Sequence, residues 1–100
     1  MAERIIELND ENIHEIKKGK VVVDCYAPWC GKCKMIAPRV EELAKKLPDY
    51  RFYAVDVDKC PKMADALQIM DLPTLLVFEN GNEVKRGVFD ILIHLEGKCK

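Results

Sequence analysis

The stretch Val21-Val22-Val23-Asp24-Cys25-Tyr26 constrains the fold more than any other part of this 100-residue chain. It is β-branched and almost continuously apolar, which is the pattern of a central strand covered on both faces. A chain that contains such a strand needs a layer on each side of its sheet, and the flanking segments must supply both.

Those segments alternate between strand and helix patterns. Ile5 to Leu8 reads as a short strand. Asn9 or Asp10 can cap a helix carrying Ile13 and Ile16, with Gly19 as its stop. The turn-like Ala27-Pro28-Trp29-Cys30-Gly31 follows the central strand. A helix then runs to about Leu47, with Ile36, Val40, Leu43 and Leu47 at helical spacing and Pro38 inside it, where a proline removes a backbone hydrogen bond. Arg51 to Val57 is a second central strand. Pro61 opens a short helix holding Met63, Ala66 and Leu67. Leu75 to Phe78 is a further strand, and across Asn80-Gly81 the segment Glu83 to Val88 pairs back as a hairpin. Asp90 caps a last helix with Ile91, Leu92 and Leu95. The order β-α-β-α-β-α-β-β-α predicts an α/β fold: a mostly parallel sheet with helices on both faces and an antiparallel hairpin at its C-terminal edge. No repeat or linker divides the chain, so one domain over residues 1–100 is expected.

Composition narrows the function. Hydrophobic residues make up 49% and charged residues 33%, too apolar for a disordered chain. The formal net charge of -1 gives no reason to expect nucleic acid or an anionic membrane as a partner. No run nears the roughly 20 apolar residues that span a bilayer, and Met1 to Asn9 lacks the apolar core of a secretory signal, so the expected location is cytoplasmic. Five cysteines, an odd number without a leader, point away from a disulfide-stapled scaffold and toward redox chemistry, metal binding or packing.

Trp29-Cys30-Gly31-Lys32-Cys33 carries the chemistry. Cysteines at i and i+3 lie on one face of a helical turn, within reach of a disulfide. Cys30 falls at the helix N-terminus, where free backbone N–H groups and the helix dipole favour an anion and lower the thiol pKa. The thiolate is the attacking species in thiol–disulfide exchange. Cys33, one turn inside, is expected to be less exposed and to act as the resolving thiol. The competing reading is half of a zinc site. Zinc normally takes four ligands, however, and the sequence has no second such pair, with His14 and His94 standing alone. A CxxC that follows a strand and opens a helix favours the redox reading.

With these residues in hand, the chain resembles the thioredoxin family. The similar stretch runs from Val21 to Pro38, VVVDCYAPWCGKCKMIAP. Two more blocks, Asp71-Leu72-Pro73-Thr74-Leu75-Leu76-Val77-Phe78 and Glu79-Asn80-Gly81, extend the likeness over nearly the whole chain. The resemblance implies the thioredoxin fold, with Cys30 as nucleophile, Cys33 as resolving cysteine and Asp24 as the buried aspartate that takes a proton from Cys33, directly or through water. It makes Pro73 a cis-proline facing the disulfide, where the peptide group of Leu72 pairs with an extended substrate backbone. Trp29, Gly31 and Lys32 complete the substrate groove. The implied partners are protein disulfides and a thioredoxin reductase-type electron donor; the implied state is a monomer with no cofactor and no metal. A glutaredoxin-like or isomerase-like protein, and a redox-inactive binding module of the same fold, are the alternatives.

Several positions depart from the family pattern. Lys32 replaces the proline usual between the cysteines. Its cation favours the Cys30 thiolate and so makes the disulfide the stronger oxidant. The expected potential therefore lies between about -270 mV, the reference value for thioredoxin, and about -180 mV, that for protein disulfide isomerase. Ala54 stands about where many members place a lysine beside the aspartate, so the Asp24 pKa is expected to rise further. Phe89 falls near a glycine that lines the groove; either Gly87 substitutes by a register shift or the groove is narrower and more apolar. Among the other cysteines, Cys25 reads as a small core residue. Cys60 reads as an inert surface thiol, or else a mildly acidic one, and Cys99 as idle on a charged tail.

Overall fold

The computed structural model describes residues 4–99. The chain forms β1 (Ile5–Glu7), a 3-10 segment (Ile13–Lys17), β2 (Lys20–Tyr26), α1 (Gly31–Lys46), β3 (Tyr50–Asp56), α2 (Pro61–Ala66), β4 (Thr74–Glu79), β5 (Asn82–Gly87), α3 (Phe89–Glu96) and a closing 3-10 turn, Gly97–Cys99. The five strands lie in the order β1-β3-β2-β4-β5. β3 runs parallel to both β1 and β2, whereas β4 is antiparallel to β2 and β5 to β4. The sheet is thus mixed, and its antiparallel part reaches inward to the central strand β2.

Alternation along β2 builds the two layers. Val21, Val23 and Cys25 point to one face and join Tyr53, Val55, Leu76 and Phe78 against Ile16 and Met63. Val22 points to the other and joins Phe52, Ala54, Leu75 and Val77 against Ile36, Val40 and Leu43 of α1 and Ile91, Leu92 and Leu95 of α3. Neither set could be buried by a single layer, which explains why β2 is apolar at nearly every position.

Two helix expectations need correction. The segment after Asn9 forms only a 3-10 turn. The Asn9 side chain accepts the N–H groups of Glu11 and Asn12, and the Asn12 side chain accepts that of Asn9, so these groups are satisfied locally where a helix would have used its own carbonyls. Gly19, at φ 71°, then reverses the chain into β2. Asp90 does not precede α3 but lies in its first turn, where it accepts the Val88 N–H at 3.2 Å from inside the helix.

Candidate active site

Cys30 terminates the connection from β2 and caps α1. The Cys33 N–H donates to Cys30 Sγ at 3.1 Å, so the sulfur occupies the place an oxygen takes at an ordinary helix cap. Cys30 and Cys33 are disulfide-bonded, with Cα atoms 5.3 Å apart. The expectation that Cys33 is the less exposed does not hold in this oxidised state, because each is 6% exposed. Their surroundings differ instead. Cys33 lines a cavity of about 220 Å³ together with Asp24, Tyr26, Ala27 and residues of α1.

Asp24 is buried in β2, and its Oδ1 has no hydrogen-bond partner. Burial pushes its carboxyl up to about 7, with a smaller push from the Glu7 carboxylate. Its register partner on β3 is Ala54, so no cation faces it there. Aspartate and Cys33 share one cavity that is several times the roughly 30 Å³ a water occupies, room enough for a proton to pass through solvent.

Outside the disulfide, the Leu72–Pro73 peptide bond is cis. Leu72 packs with Ala27, Cys30 and Cys33 and separates two hollows. One, of about 260 Å³, is lined by Lys32, Ile36, Asp71, Leu72, Pro73, Val88 and Phe89. The other, of about 430 Å³, is lined by Trp29, Met70 and residues of α2. Trp29 is 70% exposed, and its Nε1–H donates to Asp58 Oδ2 at 2.8 Å. A Cβ added at Gly31 would meet nothing within 4 Å, so the space over the turn is open. The register shift that would have put Gly87 in the groove does not occur: Phe89 and Val88 line it, and Gly87 faces the Asp90 carboxylate. A further hollow, about 640 Å³ between α2 and β5, shares Met70 with the hollow beside Trp29 but touches neither cysteine nor Asp24, Leu72 or Pro73.

The structure therefore brings Trp29, Cys30, Cys33, Asp24, Leu72 and Pro73 together at one end of the sheet, with Lys32 on the groove wall. Sequence reading missed Asp58, Val88, Met70 and the Glu7–Tyr26 pair. No motif marks them; strand register and the connections β3–α2, α2–β4 and β5–α3 place them here. The remaining cysteines stand apart. Cys25 is fully buried, and burial pushes its thiol up to about 12. Burial also raises Cys60, with acidic Asp10 and Asp56 adding to the shift, so the mildly acidic alternative fails. Cys99 is half-buried against the α1–α3 core, its sulfur 3.6 Å from the Leu95 carbonyl, rather than idle on a tail.

The thioredoxin family model matches residues 4–89. The chain belongs to the thioredoxin family. It is 40% identical over 82 residues to the thioredoxin of Chlamydia trachomatis, covering 81% of this chain and 80% of that one. It is 44% identical over 89 residues to the thioredoxin of Staphylococcus haemolyticus, covering 84% and 83%. Among solved structures, mitochondrial thioredoxin 3 of Saccharomyces cerevisiae in its oxidised form superposes with a TM-score of 0.83 at 30% identity, covering 93% of this chain and 94% of that one. A family member with a bonded CxxC pair at a helix N-terminus is a protein thiol–disulfide oxidoreductase, and that is the activity of this chain.

Proposed function

We propose that the protein works in the reducing direction, with Cys30 as nucleophile, Cys33 as resolving thiol and Asp24 as proton acceptor. The observation that carries this reading is the asymmetry around the two sulfurs. Cys30 receives a backbone N–H at the helix cap, which favours its thiolate. Cys33 shares a partly open cavity with an aspartate whose carboxyl sits near neutrality. In the first step the Cys30 thiolate attacks one sulfur of a protein disulfide, and the other sulfur leaves as a thiolate. In the second, the Cys33 proton passes to Asp24, and the Cys33 sulfur attacks Cys30. The mixed disulfide breaks, the second substrate sulfur leaves, and Cys30–Cys33 holds the two electrons' worth of oxidation. An external dithiol donor of thioredoxin reductase type then restores the pair.

The substrate strand lies along Leu72, whose position before the cis bond suits an added strand's backbone hydrogen bonds, with Trp29, Gly31 and Lys32 beside it. Phe89 replaces open space with an aromatic wall and makes the groove more apolar than a glycine would. Among the described residues no helix is long and apolar enough to cross a membrane. The proposal is of a monomeric cytoplasmic electron carrier between a reductase and protein disulfides.

Insulin reduction with dithiothreitol tests the assignment. Cys30→Ser abolishes turnover. Cys33→Ser stalls after the first step and accumulates a covalent mixed disulfide through Cys30, visible by non-reducing electrophoresis. Trapping through Cys33 in the Cys30→Ser protein at an equal rate would reverse the roles.

A further inference from the structure

Asp24, Ala54 and Glu7 stand in register on three adjacent strands, β2, β3 and β1. Register partners share a face, so two carboxylates lie on the α1 side of the sheet with only the Ala54 methyl between their strands. Tyr26, two residues along β2 and therefore on the same face, donates its hydroxyl to Glu7 Oε1 at 2.9 Å. Tyr26 also lines the cavity that holds Asp24 and Cys33. A carboxylate on an edge strand would ordinarily turn to solvent; this one is tied back toward the site.

We infer that Glu7, held by the Tyr26 hydroxyl, is a positioning residue that acts through Asp24 to set the pH at which the mixed disulfide is resolved. The inference rests on the role proposed above for Asp24. The resolving step needs Asp24 ionised, because the proton leaving Cys33 goes to its carboxylate as the Cys33–Cys30 bond forms and the Cys30–substrate bond breaks. A fixed negative charge nearby makes that ionisation harder and confines fast resolution to higher pH.

The other charged and titratable groups around Asp24 do not substitute for Glu7. Asp56 of β3, in register with Tyr26, is buried, and its Oδ1 accepts the N–H groups of Asp58 and Lys59. On α1, Lys34 and Glu41 line the cavity with opposite charges, and Cys33 is the reacting group itself. β4 presents Leu75 to Asp24. Cys25, the neighbour on β2, points to the other face and is kept neutral by burial. After burial itself, Glu7 is the influence that raises the Asp24 carboxyl.

The test follows the resolving step alone. Reduced protein is mixed with one equivalent of Ellman's reagent, and release of the second thionitrobenzoate by Cys33 is timed across the neutral pH range. The parent rate climbs with a midpoint near the Asp24 value of about 7. In Glu7→Gln the same climb moves to lower pH by roughly half a unit, with the plateau rate kept. Tyr26→Phe, which frees the carboxylate to turn outward, moves it the same way by less. High salt shifts the parent toward Glu7→Gln, because the carboxylate is exposed to screening. Asp24→Asn removes the climb. An unmoved midpoint in Glu7→Gln, with Asp24→Asn still abolishing the climb, overturns the role of Glu7. A climb that survives in Asp24→Asn overturns the proton-acceptor reading beneath it.

Discussion

Buried Asp24 costs the fold stability. Its carboxyl sits near 7 against an ordinary value of 3.8, chiefly because burial penalises the charged form. The folded chain therefore holds this proton more tightly than the unfolded chain. The sign follows: below about pH 4 both states are protonated and the residue is neutral in its effect. Stability falls as pH rises from there through 7, and above that the full cost of the buried charge is present. Asp24→Asn is accordingly more stable than the parent at alkaline pH, by an amount on the order of 4 kcal/mol, and the gain fades as pH drops toward 4. Denaturant melts of the two proteins at pH values on either side of 7 check this; an equal difference at every pH would contradict it. The apolar run around Asp24 made its burial legible in the sequence. Its missing partner was not, because that depends on which residue of β3 falls opposite, and register is not written in either strand alone.

Elements show the same division. β2, α1, β3, β4 and the Asn80-Gly81 hairpin follow from periodicity and turn chemistry, and their ends fall within a residue or two of the sequence reading. The turn after Asn9 and the entry to α3 do not, since each is decided by asparagine or aspartate side chains competing for backbone N–H groups. The loop between α2 and β4 owes its shape to a contact from far along the chain. Arg86 of edge strand β5 is held by Glu83 at 2.8 Å and donates to the carbonyls of Leu67 and Gln68 at 2.7 and 2.8 Å. It thereby closes the C-terminus of α2 and leads the chain toward Leu72 and Pro73. Arg86→Ala should cost about 1–2 kcal/mol and speed amide hydrogen exchange in residues 67–72 more than in β2. Uniform exchange across the molecule would show that the clamp is not local.

At the scale of the whole molecule, the sheet divides two tasks between its ends and faces. Both faces of β2 are sealed by helices, and the strand leads directly into the turn that presents Cys30. The rigid strand and the helix cap fix one sulfur relative to the other, while the cis-proline loop and Phe89 are brought against them from the C-terminal half. That convergence explains what the sequence could and could not show. The CxxC and its helix are local and were legible. The groove is assembled from segments some forty and sixty residues apart, so the identity of its wall, Phe89 rather than Gly87, emerged only from the register of β5 on β4.

The proposed chemistry needs a reversible bond between Cys30 and Cys33, and on that proposal the helix cap and Lys32 favour its reduced form. Equilibration in graded glutathione or dithiothreitol buffers, followed by acid quench and alkylation of the two thiols, measures it directly. A single two-electron transition is predicted, with a midpoint between about -270 and -180 mV. A midpoint at or below about -270 mV would contradict the role given to Lys32. Failure of the two sulfurs to interconvert at any poise would contradict the oxidoreductase itself.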